Sequence, residues 1–288
     1  MFMGTASMAT MAALAHGMGH TYHWSFVVFS RIVLTFVLAL IACRILKTRP
    51  VIFGPTALWT RSIFGMISIA CNFYAITHLT ITDALTLLKT SPIWVSIIVA
   101  VLNKRAHTAP IWIATLIGFV GVVFMEQPRF EGNLFPITLA LFAAFFIASA
   151  QVSMSYLREL PTVTIVTHFS GCATLFTFCI FLITQFIGNE PLPNLHWESG
   201  RWLLLMAGFG TLGQIWVTKA FRKGNPMLMA LVGLCSIPIA ATYDYLFWDR
   251  TLGIMEITGI LLITTSILIC SRETIKQRDN QQTKSELV

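Results

Sequence analysis

Charged residues are scarce in this chain of 288 residues. Asp, Glu, Lys and Arg make up 11% of it, whereas 56% is hydrophobic and the mean hydropathy is +0.76. An average soluble domain has about 25% charged residues. The composition therefore excludes an ordinary soluble protein and predicts a membrane protein, so the net charge of +7 does not by itself indicate a nucleic-acid partner.

Motifs for metals, redox chemistry and nucleotides are also missing. The six cysteines lack zinc-finger or redox spacing, and we expect them to pack as small residues. The run Gly208–Gly213 matches the dinucleotide fingerprint, but no strand precedes it, so the match is spurious. His16, His20 and His23 have ligand-like spacing without a nearby Cys, Asp or Glu, which is a weak metal signal. We predict no metal site, no cofactor and no transport driven by ATP hydrolysis.

The basic leader of a signal peptide is missing too, because no Lys or Arg precedes Arg31. We expect the first apolar segment to be a retained helix that is short at its start.

Long uncharged stretches are what the chain does contain. Five approach the roughly 20 residues that cross ~30 Å of hydrocarbon, and they are residues 106–125, 132–157, 160–189, 202–218 and 224–243. Five further segments are predicted at residues 2–17, 23–44, 58–79, 83–102 and 254–270. Lone strands would leave backbone groups unpaired in lipid. The predicted fold is therefore all-α, a polytopic bundle of ten transmembrane helices.

Basic residues between the segments predict the orientation. With a cytoplasmic N-terminus, thirteen Lys and Arg residues lie on the cytoplasmic side and three on the other. We therefore expect the protein to lie in the inner (plasma) membrane, with both termini in the cytoplasm.

The two halves of the chain echo each other at an offset of 146 residues, from Pro92 to Pro238. Ala84 and Ala230 keep the same offset. Each half has five predicted helices, an odd number, so the second half enters the membrane from the opposite side. The predicted units are residues 1–125 and 126–271 as two inverted five-helix repeats, followed by a cytoplasmic tail at 272–288. Inverted repeats with interrupted helices at matching positions are typical of secondary transporters.

The order of several short motifs resembles the EamA-type transporters of the drug/metabolite transporter superfamily. The motifs of the first half are Arg31, Phe73-Tyr74-Ala75-Ile76, Asp83-Ala84 and Ser91-Pro92-Ile93-Trp94-Val95. Those of the second half are Lys219-Ala220, Ala230, Ser236-Ile237-Pro238, Asp249 and Gly259. The resemblance implies a ten-helix carrier whose central cavity is lined chiefly by helices 1, 3, 4, 6, 8 and 9. The chain departs from the pattern at Asn103-Lys104, where the family often has an acidic residue, and at Lys89.

Charges inside the predicted helices are candidates for function, because each costs roughly 2.5 to 3.5 kcal/mol on insertion scales. Lys89 lies about seven residues from the outer end of helix 4, roughly 10 Å deep. Asp244 in helix 9 has a comparable depth. The pair predicts either a gate or clamp that holds a substrate carboxylate or phosphate, or a static ion pair.

The other buried charges have competing interpretations. Arg31 is favoured as a structural fork bound to neighbouring carbonyls, and His168 as a hydrogen-bonded packing residue, with proton coupling as its alternative. Arg61 and Lys219 lie near helix ends, where we expect them to reach the interface.

Uncharged side chains at matching depths complete the candidate substrate site. Polar groups and aromatic faces in the predicted helices can line a cavity or serve as interhelical contacts. They are Asn72, Tyr74, Gln151, Gln214, Trp94 and Trp216, together with the breaks at Pro92 and Pro238.

These observations predict a secondary transporter that moves a small organic metabolite by alternating access, and not an enzyme. An amino acid or an amino-acid or nucleoside derivative, anionic or zwitterionic, suits the intramembrane lysine. An intramembrane enzyme or a non-transporting scaffold is the alternative, but the paired catalytic groups that an enzyme needs are not evident. The expected partners are the substrate and the bilayer, with no nucleic acid.

Overall fold

The computed structural model describes residues 1–18, 23–104, 108–129, 134–188, 197–248 and 253–286. All regular secondary structure in these ranges is helical, which agrees with the predicted all-α class. The helices are α1 Phe2–Met18, α2 Trp24–Ile45, α3 Thr56–His78, α4 Ile81–Leu88, α5 Ser91–Leu102, α6 Ala109–Glu126, α7 Leu134–Ser155, α8 Thr162–Gly188, α9 Trp197–Lys223, α10 Pro226–Gly233, α11 Ser236–Trp248 and α12 Ile254–Glu286.

Two of the predicted segments are interrupted near their prolines. Segment 4 consists of α4 and α5, and segment 9 consists of α10 and α11. Pro92 lies in the first turn of α5, and Pro238 lies in the first turn of α11. Proline is tolerated there because the first backbone N–H groups of a helix have no intrahelical partner. The twelve helices of the described residues thus make up ten segments, because two segments each consist of two helices.

Seven stretches of these helices are long and apolar enough to cross a membrane, and they lie in segments 2, 4, 5, 6, 7, 9 and 10. The apolar part of α1, Phe2–Ala15, is shorter. Segments 3 and 8, formed by α3 and α9, are not among the seven; they contain Arg61 and Gln214. The chain is a multi-pass integral membrane protein, and the count of ten spans stays a prediction.

The contacts between helices of the two halves recur when the halves are exchanged. Helix α1 packs against α9, and α3 packs against α7, which is the same pairing with the halves exchanged. Helix α2 packs against α8, and α6 against α12, so each of these helices meets its own counterpart. Contacts between α1 and α11 likewise match those between α7 and α5.

Glycines allow the closest of these approaches. A Cβ on Gly121 would lie 2.9 Å from the carbonyl oxygen of Gly259, and a Cβ on Gly259 would lie 2.7 Å from that of Gly121. Ser266 of α12 also donates a hydrogen bond to the carbonyl of Ala114 at 2.6 Å. Helices α6 and α12 therefore meet backbone to backbone, as small residues permit in membranes.

The expected tail is helical where the structure describes it. Helix α12 continues without interruption from the apolar segment to Glu286. Asp249, which belongs to the repeated pattern, lies outside the described residues.

Candidate functional site

A cavity of about 280 Å³ lies among α1, α2, α3, α7, α8 and α9. These helices are segments 1, 2, 3, 6, 7 and 8, the first three of each half. The family resemblance implied that segments 4 and 9 line the cavity, but none of the described lining residues comes from them. Segments 2 and 7 take their place.

Arg61 projects into this cavity from α3. Its side chain is 6% exposed, and one terminal nitrogen donates a 3.4 Å hydrogen bond to Oε1 of Gln214. The guanidinium carbon lies 3.9 Å from the centre of the Phe169 ring, which is a cation–π contact. The Nε of Arg61 has no hydrogen-bond partner among the described residues. The expectation that Arg61 reaches the membrane interface is therefore wrong.

A glycine one turn further along α3 makes room for this guanidinium. A Cβ on Gly65 would lie 2.6 Å from Nη1 of Arg61 and 2.6 Å from Cε2 of Phe169. Residues four apart share one face of a helix. Gly65 thus leaves the space in which Arg61 lies against the ring, and it is the sequence signal that could have placed Arg61 in the site.

Arg31 lines the same cavity from α2 and is half-buried. Among the residues that the structure describes, it forms no hydrogen bond or ion pair. Within the described part of the chain, it lacks the bonds to neighbouring carbonyls that a structural fork requires. Its charge is therefore available to a ligand in the cavity.

The remaining polar groups of the cavity are uncharged. Gln151 and Gln214 line it, and Oε1 of Gln151 is buried without a hydrogen-bond partner in the described part of the chain. The described lining contains no Asp or Glu. Met8, Met11 and Met154 supply adaptable apolar surface.

Lys89 lies outside the cavity lining, at the junction of the two interrupted helices. It is the residue that caps the end of α4, and its Nζ donates a 2.8 Å hydrogen bond to Oγ of Ser236, the first residue of α11. Ser236 in turn donates to the carbonyl of Gly233 at 2.9 Å. The side chain of Asp244, the partner that we predicted, lies outside the described part of the structure.

The other predicted residues are distributed over the bundle. Trp94 packs edge-to-face on Phe145, with ring centres 5.5 Å apart. Tyr74 stacks on His78 at 4.0 Å at the end of α3. Trp216 borders a second pocket of about 390 Å³ beside Lys219 and Lys223. Pro92 is buried, and Oδ1 of Asn72 is buried without a partner in the described residues.

His168 makes three hydrogen bonds, the longest at 4.0 Å between its Nδ1 and Sγ of Cys172, and one ring contact. Its Nδ1 lies 2.8 Å from the hydroxyl of Ser62, and its Nε2 lies 3.2 Å from the carbonyl of Ile52. Its ring meets Trp59 edge-on at 4.9 Å. His168 therefore links α8 to α3 and the segment before it. The residues brought together in the cavity are Arg31, Gln151 and Gln214, with Arg61 and Phe169 added by the structure.

The fold defines a multi-pass helical membrane protein, and it encloses a cavity lined by two arginines. The fold is similar to that of a solved crystal structure, with a TM-score of 0.80 over 96% of this chain and 97% of the other, at 14% sequence identity. Residues 134–272 match the model of the EamA-like transporter family.

Curated relatives carry transporter names. The chain is 26% identical to a pseudopaline exporter of Pseudomonas aeruginosa over 221 residues, which is 76% of each protein. It is 26% identical to a riboflavin transporter of Vibrio cholerae over 203 residues, 69% of this chain and 65% of the relative. These comparisons confirm the resemblance to EamA-type transporters of the drug/metabolite transporter superfamily, and they indicate a transporter rather than an enzyme.

Proposed function

We propose that this protein is a secondary transporter that carries a small organic metabolite across the inner (plasma) membrane by alternating access. The observation that carries the proposal is the cavity with Arg31 and Arg61 inside a bundle of apolar helices. Burying a charged side chain in a membrane protein costs free energy. Two such side chains in one cavity therefore indicate a substrate path. The transporter names of the relatives support the same class.

Ten spans in two inverted repeats are part of this proposal, with both termini in the cytoplasm. The matched pairings of α1 with α9 and of α7 with α3 support the repeat. In such carriers the two repeats move relative to each other around a central site. The cavity is lined by the first three segments of each half, as expected of a site between repeats.

The interrupted helices supply the gate in this proposal. Pro92 and Pro238 keep a break in each helix, and Lys89 joins the two breaks through Ser236. Helices α5 and α10, on the side of both termini, pack against each other, whereas α4 and α11 make no comparable contact within the described residues. Such asymmetry between equivalent pairs is expected of one state in an alternating cycle. Opening would break the Lys89 contact.

The substrate is an amino acid or an amino-acid or nucleoside derivative that is anionic or zwitterionic. The guanidinium groups suit carboxylates or phosphates, since their planar N–H donors pair with two oxygens at once. The residues that we propose for binding are Arg31, Arg61, Gln151 and Gln214. Asn72, Tyr74, Trp94, Trp216 and Asp244 remain proposed for the path or gate.

Counterflow in proteoliposomes tests the proposal. Vesicles are loaded with pooled unlabelled amino acids, nucleosides and their derivatives, and accumulation of each labelled compound is measured. Saturable accumulation of one chemical class, lost in the double variant Arg31→Gln and Arg61→Gln, is the expected result. Folded protein that accumulates no compound from any pool would contradict it.

A further inference from the structure

The described lining of the cavity holds two positive charges and no acidic residue to balance them. Arg31 and Arg61 reach it from different helices, and the described lining contains no Asp or Glu. We propose that the cavity binds a substrate with two separated acidic groups, one at Arg31 and one at Arg61, joined by a small, largely apolar body. This inference rests on the proposed function in taking the cavity as the substrate site, and it narrows the substrate to a dianion.

The first acidic group is held by Arg31. Among the described residues this side chain has no hydrogen-bond or ion-pair partner, although it lies in the interior of a predicted membrane helix. An unpaired charge at such depth is costly, and pairing with an anion removes most of that cost. A carboxylate can accept two parallel hydrogen bonds from the guanidinium.

The second acidic group is held by Arg61, whose guanidinium is already positioned. The Phe169 ring lies on one side of it, and the space over Gly65 accommodates its end. One of its five N–H donors is used in the long 3.4 Å bond to Gln214. Nε has no partner in the described residues. An oriented guanidinium with free donors loses little conformational freedom when an anion binds.

The linker between the acids is set by the rest of the lining. Met8, Met11 and Met154 present flexible apolar side chains, which adapt to different hydrocarbon shapes. The volume of about 280 Å³ is near the lower end for ligand pockets and suits a small molecule. A substrate ammonium would find no carboxylate in the described lining, so a zwitterion should bind more weakly than a dianion of the same length.

A set of probes with one chain length and different ends tests this. Adipate, hexanoate, aminocaproate and hexamethylenediamine have two acids, one acid, an acid with an amine, and two amines. Succinate and suberate vary the separation of the acids. Binding of each to the purified full chain in detergent is measured by the shift of the thermal unfolding temperature with concentration. The best dicarboxylate should bind at least about tenfold more tightly than hexanoate or aminocaproate, with no stabilisation by hexamethylenediamine.

Matched variants locate the two contacts. Arg31→Gln and Arg61→Gln should each weaken the best dicarboxylate at least about tenfold and remove its advantage over hexanoate. Arg158→Gln is the control, because Arg158 is exposed between α7 and α8. Where a glutamine variant does not fold, Arg31→Lys or Arg61→Lys replaces it. Each keeps the positive charge but loses the planar guanidinium that pairs with two oxygens, so dicarboxylate affinity should still fall.

Two outcomes overturn the inference. One is that hexanoate or aminocaproate binds as tightly as every dicarboxylate. The other is that the probes raise the unfolding temperature regardless of their charge, or that no probe raises it. Counterflow on the same protein separates this from the proposed function. Saturable uptake of monoanions or zwitterions without a preference for dianions leaves the carrier proposal standing and overturns the inference. Dianion-selective binding without uptake in counterflow, with the best dicarboxylate added to the pools, supports the inference and contradicts the carrier proposal.

Discussion

The amino group of Lys89 donates a hydrogen bond to the hydroxyl of Ser236, 2.8 Å away. The two residues lie 147 positions apart in the chain, at the breaks of the two interrupted helices. A single polar contact thus links equivalent points of the two halves. This contact is the one that we expect to be made and broken during transport.

Substitution Lys89→Met tests the link. It removes the charge and the donor but keeps an unbranched side chain, and Ser236 keeps its bond to the carbonyl of Gly233. We expect at least a roughly tenfold loss of counterflow rate with little change in thermal unfolding temperature, since the loss of a contact worth about 1.5–3 kcal/mol is offset by removing an intramembrane charge that costs roughly 2.5 to 3.5 kcal/mol. Lys104→Met, at an exposed position after α5, is the control. Normal transport by Lys89→Met would show that the lysine is not the gate.

Arg31→Gln separates a ligand-binding charge from a structural one. In the ligand-free protein the variant should unfold at the same or a higher temperature, because an unpaired intramembrane charge costs roughly 2.5 to 3.5 kcal/mol on insertion scales. A structural fork would give the opposite result. A clear fall in unfolding temperature, measured without ligand in detergent, would assign Arg31 to the scaffold.

Gly65→Ala should impair binding by displacing Arg61. The new Cβ would lie 2.6 Å from the end of the Arg61 side chain, which can move away at low cost, and 2.6 Å from Cε2 of Phe169, whose ring must shift as well. Alanine favours the helix by about 1 kcal/mol, which offsets part of the cost of moving the ring. We expect anion affinity to fall at least about tenfold, with at most a small fall in unfolding temperature. Gly208→Ala is the matched control, since no atom outside its own helix environment lies within 4 Å of its Cβ position. Unchanged affinity in Gly65→Ala would argue against the observed placement of Arg61.

Gly259→Ala should destabilise the bundle. Its Cβ would lie 2.7 Å from the carbonyl oxygen of Gly121 and 3.0 Å from the backbone nitrogen of Met125, and backbone atoms cannot move aside alone. Overpacking of this kind costs typically about 1–3 kcal/mol. The measurement is thermal unfolding of the variant beside Gly208→Ala, which should be neutral or slightly stabilising. Equal unfolding temperatures would mean that α6 and α12 are less closely packed than the structure shows.

Much of the fold could be predicted from the chain because it depends on local properties. Long apolar runs become helices in lipid, since the backbone must satisfy its own hydrogen bonds there. Interruptions at Pro92 and Pro238 follow from the missing N–H of proline, and the structure has a break beside each. Arg31, Gln151 and Gln214 were recognised as polar groups at membrane depth, and all three line the cavity.

The partners of the charged residues could not be predicted in the same way. Depth along the helices predicts Asp244 as a partner of Lys89 and gives no sign of Ser236, which accepts a hydrogen bond from Lys89 in the structure; the pairing with Asp244 stays a prediction. Arg61 was assigned to the interface because it lies near the start of α3. The structure instead turns it inward, against Phe169 of α8.

The sequence by itself determined that the chain crosses the membrane many times, where its helices run and where two of them break, because each of these depends on composition and backbone chemistry within about 20 residues. Only the tertiary structure decided which charges face the cavity and which helices enclose it. Those relationships depend on packing between residues far apart in the chain, such as Arg61 with Phe169 and Lys89 with Ser236. A long side chain at a helix end can turn either way, and its neighbours on other helices decide the direction.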